Sequence, residues 1–190
     1  MRKIGISDIE DIALGAALLG AGGGGDPYIG KLLAIGAVKE CGEVSLIDVD
    51  ELSDDDVVVP VASVGAPTIL TEKGVGSNEF TKLIDMVGSY YGKKITAIMP
   101  IEAGGVNSML PIAAAARLGL PMVDVEAWSR VPRNSNGYVH HWRRVGKPML
   151  FIDEKGNMVL WRPSTTNGSR TFAVPAAPHV AAAWCRPSTS

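Results

Sequence analysis

The stretch Lys94-Ile95-Thr96-Ala97-Ile98-Met99 runs straight into Pro100-Ile101-Glu102-Ala103-Gly104-Gly105-Val106-Asn107-Ser108 and then into the run Ala113 to Leu118. It reads as strand, loop and helix in direct succession. Asn107 is placed to cap the helix, Gly119 to stop it, and Pro121 stands just beyond. A further strand follows from Met122 to Val125. Working upstream, Val44 to Val49 and Val57 to Val64 read as strands, the second almost unbroken in its apolar character, as a buried parallel strand should be. Between that strand and Lys94, Ser77 or Asn78 caps a helix with Phe80, Leu83, Ile84 and Val87 on one face. Strands alternating with helices predict an α/β domain with a mostly parallel sheet.

Ahead of the first of these strands lies Gly22-Gly23-Gly24-Gly25-Asp26-Pro27, between two helical segments. The upstream helix opens with Ser7-Asp8-Ile9-Glu10 as a capping box and is apolar nearly all round, which predicts burial. Downstream, Asp26 is the expected N-cap and Pro27 the first helical residue, with Tyr28, Ile29, Leu32, Leu33 and Gly36 on one face. A turn between helices needs one left-handed glycine; each further one costs about 0.5–1 kcal/mol relative to alanine. Two readings of the glycines stay open: a loop whose amides cradle a ligand, and a turn that lets backbones pack closely. Neither nucleotide fingerprint fits, because no Gly-Lys-Ser/Thr follows and no strand precedes.

In parallel sheets, ligands sit outside the carboxyl ends of the strands. Gly65-Ala66-Pro67-Thr68, Glu102 to Asn107, and the strand end carrying Asp124 and Glu126 meet that condition. Glu102, Asp124 and Glu126 are the candidate acid/base or substrate-orienting carboxylates, and the glycines supply amides. The competing reading is that Glu102 and Asp124 only cap helices. Asp54-Asp55-Asp56 reads as a solvated turn rather than a metal site. Cys41 and Cys185 lack metal-ligand spacing, and Cys41 is kept as a minor nucleophile candidate.

The chain has 190 residues and 46% hydrophobic content, enough for a real core. It has no apolar run long enough to span a membrane and no leader-like start, which points to the cytoplasm. Its net charge of -2 divides unevenly. Residues 1–126 carry 9 basic and 18 acidic residues, hence -9; residues 127–190 carry 9 and 2, hence +7. All four tryptophans and all three histidines also lie in the second part. His140-His141-Trp142-Arg143-Arg144 resembles a metal or nucleic-acid patch only superficially, and no nucleic-acid or membrane partner is expected.

Gly20 to Ala34 with its four glycines and Asp26-Pro27-Tyr28, then Gly65-Ala66-Pro67-Thr68, Glu102-Ala103-Gly104-Gly105-Val106-Asn107-Ser108 and Gly119-Leu120-Pro121-Met122-Val123-Asp124, occur in the order of one family. Residues 7 to 126 resemble the amino-terminal domain of the S-methyl thiohydantoin desulfurase family, associated with hydantoinase and oxoprolinase proteins. The resemblance implies an α/β amino-terminal domain, a three-layer sandwich with a mostly parallel sheet, and a mainly β second domain. It also implies hydrolysis of a cyclic S-methyl thiohydantoin to a hydantoin with loss of methanethiol. From their place at the strand ends, Glu102 and Asp124 are the expected catalytic residues. Substrate contacts fall to Gly22, Gly23, Gly24, Gly25, Asp26, Gly65, Ala66, Pro67, Thr68, Gly104, Gly105 and Asn107. No metal ligand is implied, the cofactor stays unknown, and the partners are a small cyclic amide, a hydantoinase- or oxoprolinase-type protein, or a second copy. The rival function is a small-anion or nucleotide-binding module without catalysis.

After Glu126 the chain leaves the family pattern. Read one nucleotide along, residues 127–147 can be back-translated to text containing the expected Gly-Arg-Ala-Phe-Pro-Glu, and residues 161–190 also become more protein-like in another frame. Residues 148–160 stay in pattern and read as a β-hairpin with its turn at Asp153 to Asn157. The expected organisation is therefore a domain over 1–126 and an aberrant remnant over 127–190, a fragment of the second domain or a disordered tail. Such a product is expected to have little activity of its own.

Overall fold

The computed structural model describes residues 1–21, 23–64, 77–126, 149–153, 155–161 and 179–183, with backbone alone for Ser77, Trp161 and His179–Ala183. Its centre is the valine-rich strand β3 (Val58–Val64), buried along its first five residues. The other strands are β1 (Arg2–Ile4), β2 (Val44–Ile47), β4 (Ala97–Pro100), β5 (Met122–Val123), β6 (Met149–Asp153), β7 (Met158–Trp161) and β8 (His179–Ala183). Among the described residues they form one sheet in the order β1-β2-β5-β4-β3-β8-β6-β7. β2, β5, β4 and β3 are mutually parallel; β1 and β8 flank them antiparallel. The βα alternation thus gives the expected α/β architecture with a mostly parallel central sheet.

Among the described residues four helices accompany the sheet: α1 (Ile6–Gly20), α2 (Pro27–Cys41), α3 (Ser77–Tyr91) and α4 (Leu110–Leu118). Both α3 and α4 lie directly on strands, α2 packs on α4, and α1 packs on α2. Alternate strand residues divide between the two faces. Val59, Val61, Ile98, Met122 and Leu46 join the helices in the main core, where Leu83, Val87, Leu110 and Ile112 are fully buried. Val58, Ala97, Met99 and Val123 form a smaller cluster on the other face, covered in part by Leu52 from the β2–β3 connection.

Two helix expectations are corrected. The capping box at Ser7 is displaced: α1 begins at Ile6, and it is Gly5 whose amide donates to Asp8 Oδ2 at 2.9 Å. Nor is α1 buried all round. Leu14 and Leu18 are 76% and 82% exposed, while Ile9, Ala13, Ala16 and Gly20 face inward. Close helix approach explains the inversion, because small residues let backbones meet and the leucines take the outer side. The same happens on α2, where Gly30, Ala34, Ala37 and Val38 are buried and Tyr28 and Leu32 are exposed. A Cβ on Gly30 would lie 2.7 Å from the Cβ of Met109, so α2 cannot approach α4 with any larger residue there. Its start is as expected: Asp26 Oδ1 accepts from Tyr28 N at 2.9 Å, and Pro27 is the first helical residue.

The hairpin expected over 148–160 is β6–β7, turned by Asp153, whose Oδ1 accepts from the amides of Lys155 and Asn157. It is joined to the main sheet by β8, which lies between β3 and β6. β8 falls within the tract that the sequence reading assigns to a shifted frame.

The Asp54-Asp55-Asp56 turn is closed by its own bonds. Asp56 Oδ2 accepts from Ser53 N at 2.7 Å and from Ser53 Oγ at 2.8 Å. The Ser53 backbone bond chiefly, then the Ser53 and Thr96 hydroxyls, hold the Asp56 carboxyl below its ordinary 3.8, and slight burial opposes them. A depressed folded value means that this stabilisation is complete above the unfolded value and is lost as pH falls through the folded one. Asp56→Ala therefore lowers the melting temperature at pH 7, and the gap to wild type narrows on acidification below the ordinary carboxyl range. A gap independent of pH would remove the charged hydrogen bonds as its cause.

Candidate functional site

Strands β3, β4 and β5 end on the same side of the sheet, and their carboxyl ends are tied together by side chains. Asn107, 6% exposed, is the only buried polar side chain among the described residues. Its Oδ1 accepts from Ser63 N at the end of β3 at 2.8 Å. Its Nδ2 donates to Glu102 Oε1, just past β4, at 3.0 Å. Beyond β5, Glu126 Oε2 accepts from Ala103 N at 2.6 Å. Inside the loop, Ser108 Oγ accepts from Gly104 N at 2.7 Å. Glu102, Asn107 and Glu126 thus bridge three strand ends.

The expectation that Asn107 caps the helix is corrected. Asn107 sits in a 3-10 turn, Gly105–Ser108, and α4 starts three residues later behind Met109, with Pro111 in its first turn. Its amide is drawn away from the helix by the β3 backbone, a tertiary partner that local spacing does not reveal.

The glycine loop meets this same turn. The left-handed position that ends α1 is taken by Ala21 (φ 46°), not by a glycine. Gly23 N donates to Gly20 O at 2.7 Å, and Gly24 O accepts from Val106 N at 2.8 Å. Gly24, Gly25, Gly104 and Gly105 all have positive φ. A Cβ on Gly105 would lie 2.4 Å from Gly24 O, one on Gly20 3.0 Å from Gly105 N, and one on Gly25 3.0 Å from Val106 Cγ1. The two glycine-rich segments are therefore interlocked, backbone against backbone. Close packing accounts for Gly20, Gly25 and Gly105, and two polar groups of the loop are spent within the protein.

Of the expected site residues, Glu102, Asn107, Gly104 and Gly105 come together, and Gly23, Gly24, Gly25 and Asp26 adjoin them through the Gly24–Val106 bond. Asp124 is exposed, and its amide donates to Ile47 O at the end of β2 at 2.8 Å. Gly22 and Gly65, Ala66, Pro67 and Thr68 lie outside the described residues, as do His140 to Arg144. Cys41 is exposed at the far end of α2, about 20 Å from Asp26 by helix rise. Ser63 and Ser108 join the site without belonging to the residues expected there. Ser63 takes part through its backbone, which leaves no side-chain signal, whereas a serine four residues after a glycine that opens a tight turn is readable as a turn partner.

No helix among the described residues is long and apolar enough to cross a membrane. The family model for the S-Me-THD-like N-terminal domain matches residues 7–162. No curated protein matches the chain. The X-ray structure of a protein from Chromobacterium violaceum, from the Northeast Structural Genomics Consortium, is similar with a TM-score of 0.73 at 22% identity. The match covers 97% of this chain and 55% of that one, so the chain spans about half the length of that protein, and the likeness is one of fold.

Proposed function

The chain belongs to the S-methyl thiohydantoin desulfurase-like family through its amino-terminal domain, and from that premise we propose that it forms the carboxylate side of a site that hydrolyses a cyclic S-methyl thiohydantoin or a hydantoin-type ring. The observation that carries this reading is the bridge of Glu102, Asn107 and Glu126 across three strand ends. A carboxylate held in place at a parallel-sheet mouth is suited to direct a water molecule. In the proposed step, Glu102 takes a proton from water as its oxygen bonds to the ring carbon bearing the methylthio group. The carbon–sulfur bond then breaks, and the proton leaves with methanethiol. The water's second proton passes to the ring nitrogen and a ring carbonyl remains, so one water is consumed for each thiol released.

The rival reading, an anion- or nucleotide-binding module, draws on the Gly22 to Gly25 amides. It is weaker because the Gly23 amide already bonds Gly20 and the loop is locked against Val106. Incubation with an S-methyl thiohydantoin, read by a thiol assay, tests the proposal. Release of one methanethiol per hydantoin formed is expected from a family protein that carries this domain together with its second domain. Ring binding without thiol release would favour the binding module.

A further inference from the structure

We infer that Asn107 is a positioning residue for Glu102 rather than a substrate contact, with Glu126 fixing the adjoining backbone. The geometry dictates the orientation of the amide. Ser63 N is a donor, so the atom of Asn107 facing it must be the carbonyl oxygen, and the NH2 group necessarily faces Glu102. The Glu102 oxygen it meets is an acceptor. Accepting from a backbone N–H polarises the carboxamide and strengthens the N–H it offers onward, so the bond to a carboxylate is charge-assisted. β3 thereby sets the direction of Glu102 through one buried side chain, since Ser63 is held by the sheet pairing of Ala62 and Ser63 with β8. On the other side, Ala103, the residue after Glu102, is anchored by Glu126 at 2.6 Å. Side chain and following peptide are fixed independently, one from β3 and one from β5.

The role of the positioned carboxylate rests on the hydrolase reading, but the positioning itself is measurable without turnover. The probe is the side-chain NH2 of Asn107 in nitrogen–proton NMR spectra of the 190-residue chain, with the Ser63 amide as internal reference. In Glu102→Gln the charge on the acceptor is removed while shape is kept. One Asn107 Hδ2 resonance is then expected to move upfield, and the Ser63 amide to stay in place. Asn107→Asp keeps an acceptor for Ser63 and replaces the donor to Glu102 by a repelling oxygen. It is expected to retain the Ser63 shift and the fold while the Glu102 side-chain resonances change. An Asn107 NH2 that ignores Glu102→Gln overturns the inference even if Asn107→Asp fails to fold. If the resonances respond as expected but no family protein releases methanethiol, the positioning stands and the hydrolase reading falls.

Discussion

Gly105→Ala lowers stability by about 2–5 kcal/mol, the sum of a left-handed penalty of about 1–2 and an overpacking cost of about 1–3. Gly119→Ala is the matched control. The two glycines have nearly the same φ, 60° and 64°, yet a Cβ at Gly119 meets nothing within 4 Å, whereas at Gly105 it meets Gly24 O at 2.4 Å. Only the conformational part remains at Gly119, about 1–2 kcal/mol. Because the obstacle at Gly105 is backbone from another segment, no rotamer change relieves it. A domain with about 5–15 kcal/mol in total loses much of its margin. Urea unfolding of the two variants measures the contrast, and equal losses would mean that the glycine segments are not interlocked.

On the hydrolase reading, in a family protein that carries this domain together with its second domain, the change corresponding to Glu102→Gln is expected to lower kcat for methanethiol release by about 10²–10⁴-fold, the range for loss of a general base, and that corresponding to Asp124→Asn by less than about tenfold. The asymmetry follows from how the two acids are held. Glu102 is bonded by a buried amide, and the residue after it is anchored by Glu126. Asp124 is exposed and is fixed through its backbone to Ile47. Steady-state kinetics with an S-methyl thiohydantoin separate the two, and a fall at Asp124 as large as that at Glu102 would move the chemistry to the β2–β5 end of the sheet.

The parts of this fold that short-range rules govern were legible in the sequence. Asp26-Pro27 starts α2 because cap and first turn are neighbours in the chain, and Val58 to Ala62 is buried because a central parallel strand must be apolar on both faces. What was illegible depended on partners far away in sequence. Asn107 has the right spacing for a helix cap, but Ser63, forty-four residues earlier, claims its oxygen. The leucines of α1 are the residues that a burial rule selects, yet Ala13, Ala16 and Gly20 face inward, and at Gly20 the Gly105 backbone lies too close for anything larger. At the site, the three strand-end loops could be placed from topology alone. That Glu126 bonds the residue after Glu102 while the Asp124 amide bonds Ile47 could not, because these partners lie far apart in the sequence.

The position of β8 between β3 and β6 bears on how the chain acquires its structure during synthesis. β3 emerges early and finds β4 within the next forty or so residues, but its other edge is paired only by a strand made near residue 180. Until then this valine-rich strand presents an open row of backbone donors and acceptors, the arrangement that recruits strands from other molecules. The nascent domain therefore passes through a stage, between completion of β5 and arrival of β8, in which its helices can already be packed and its central sheet is still one strand short.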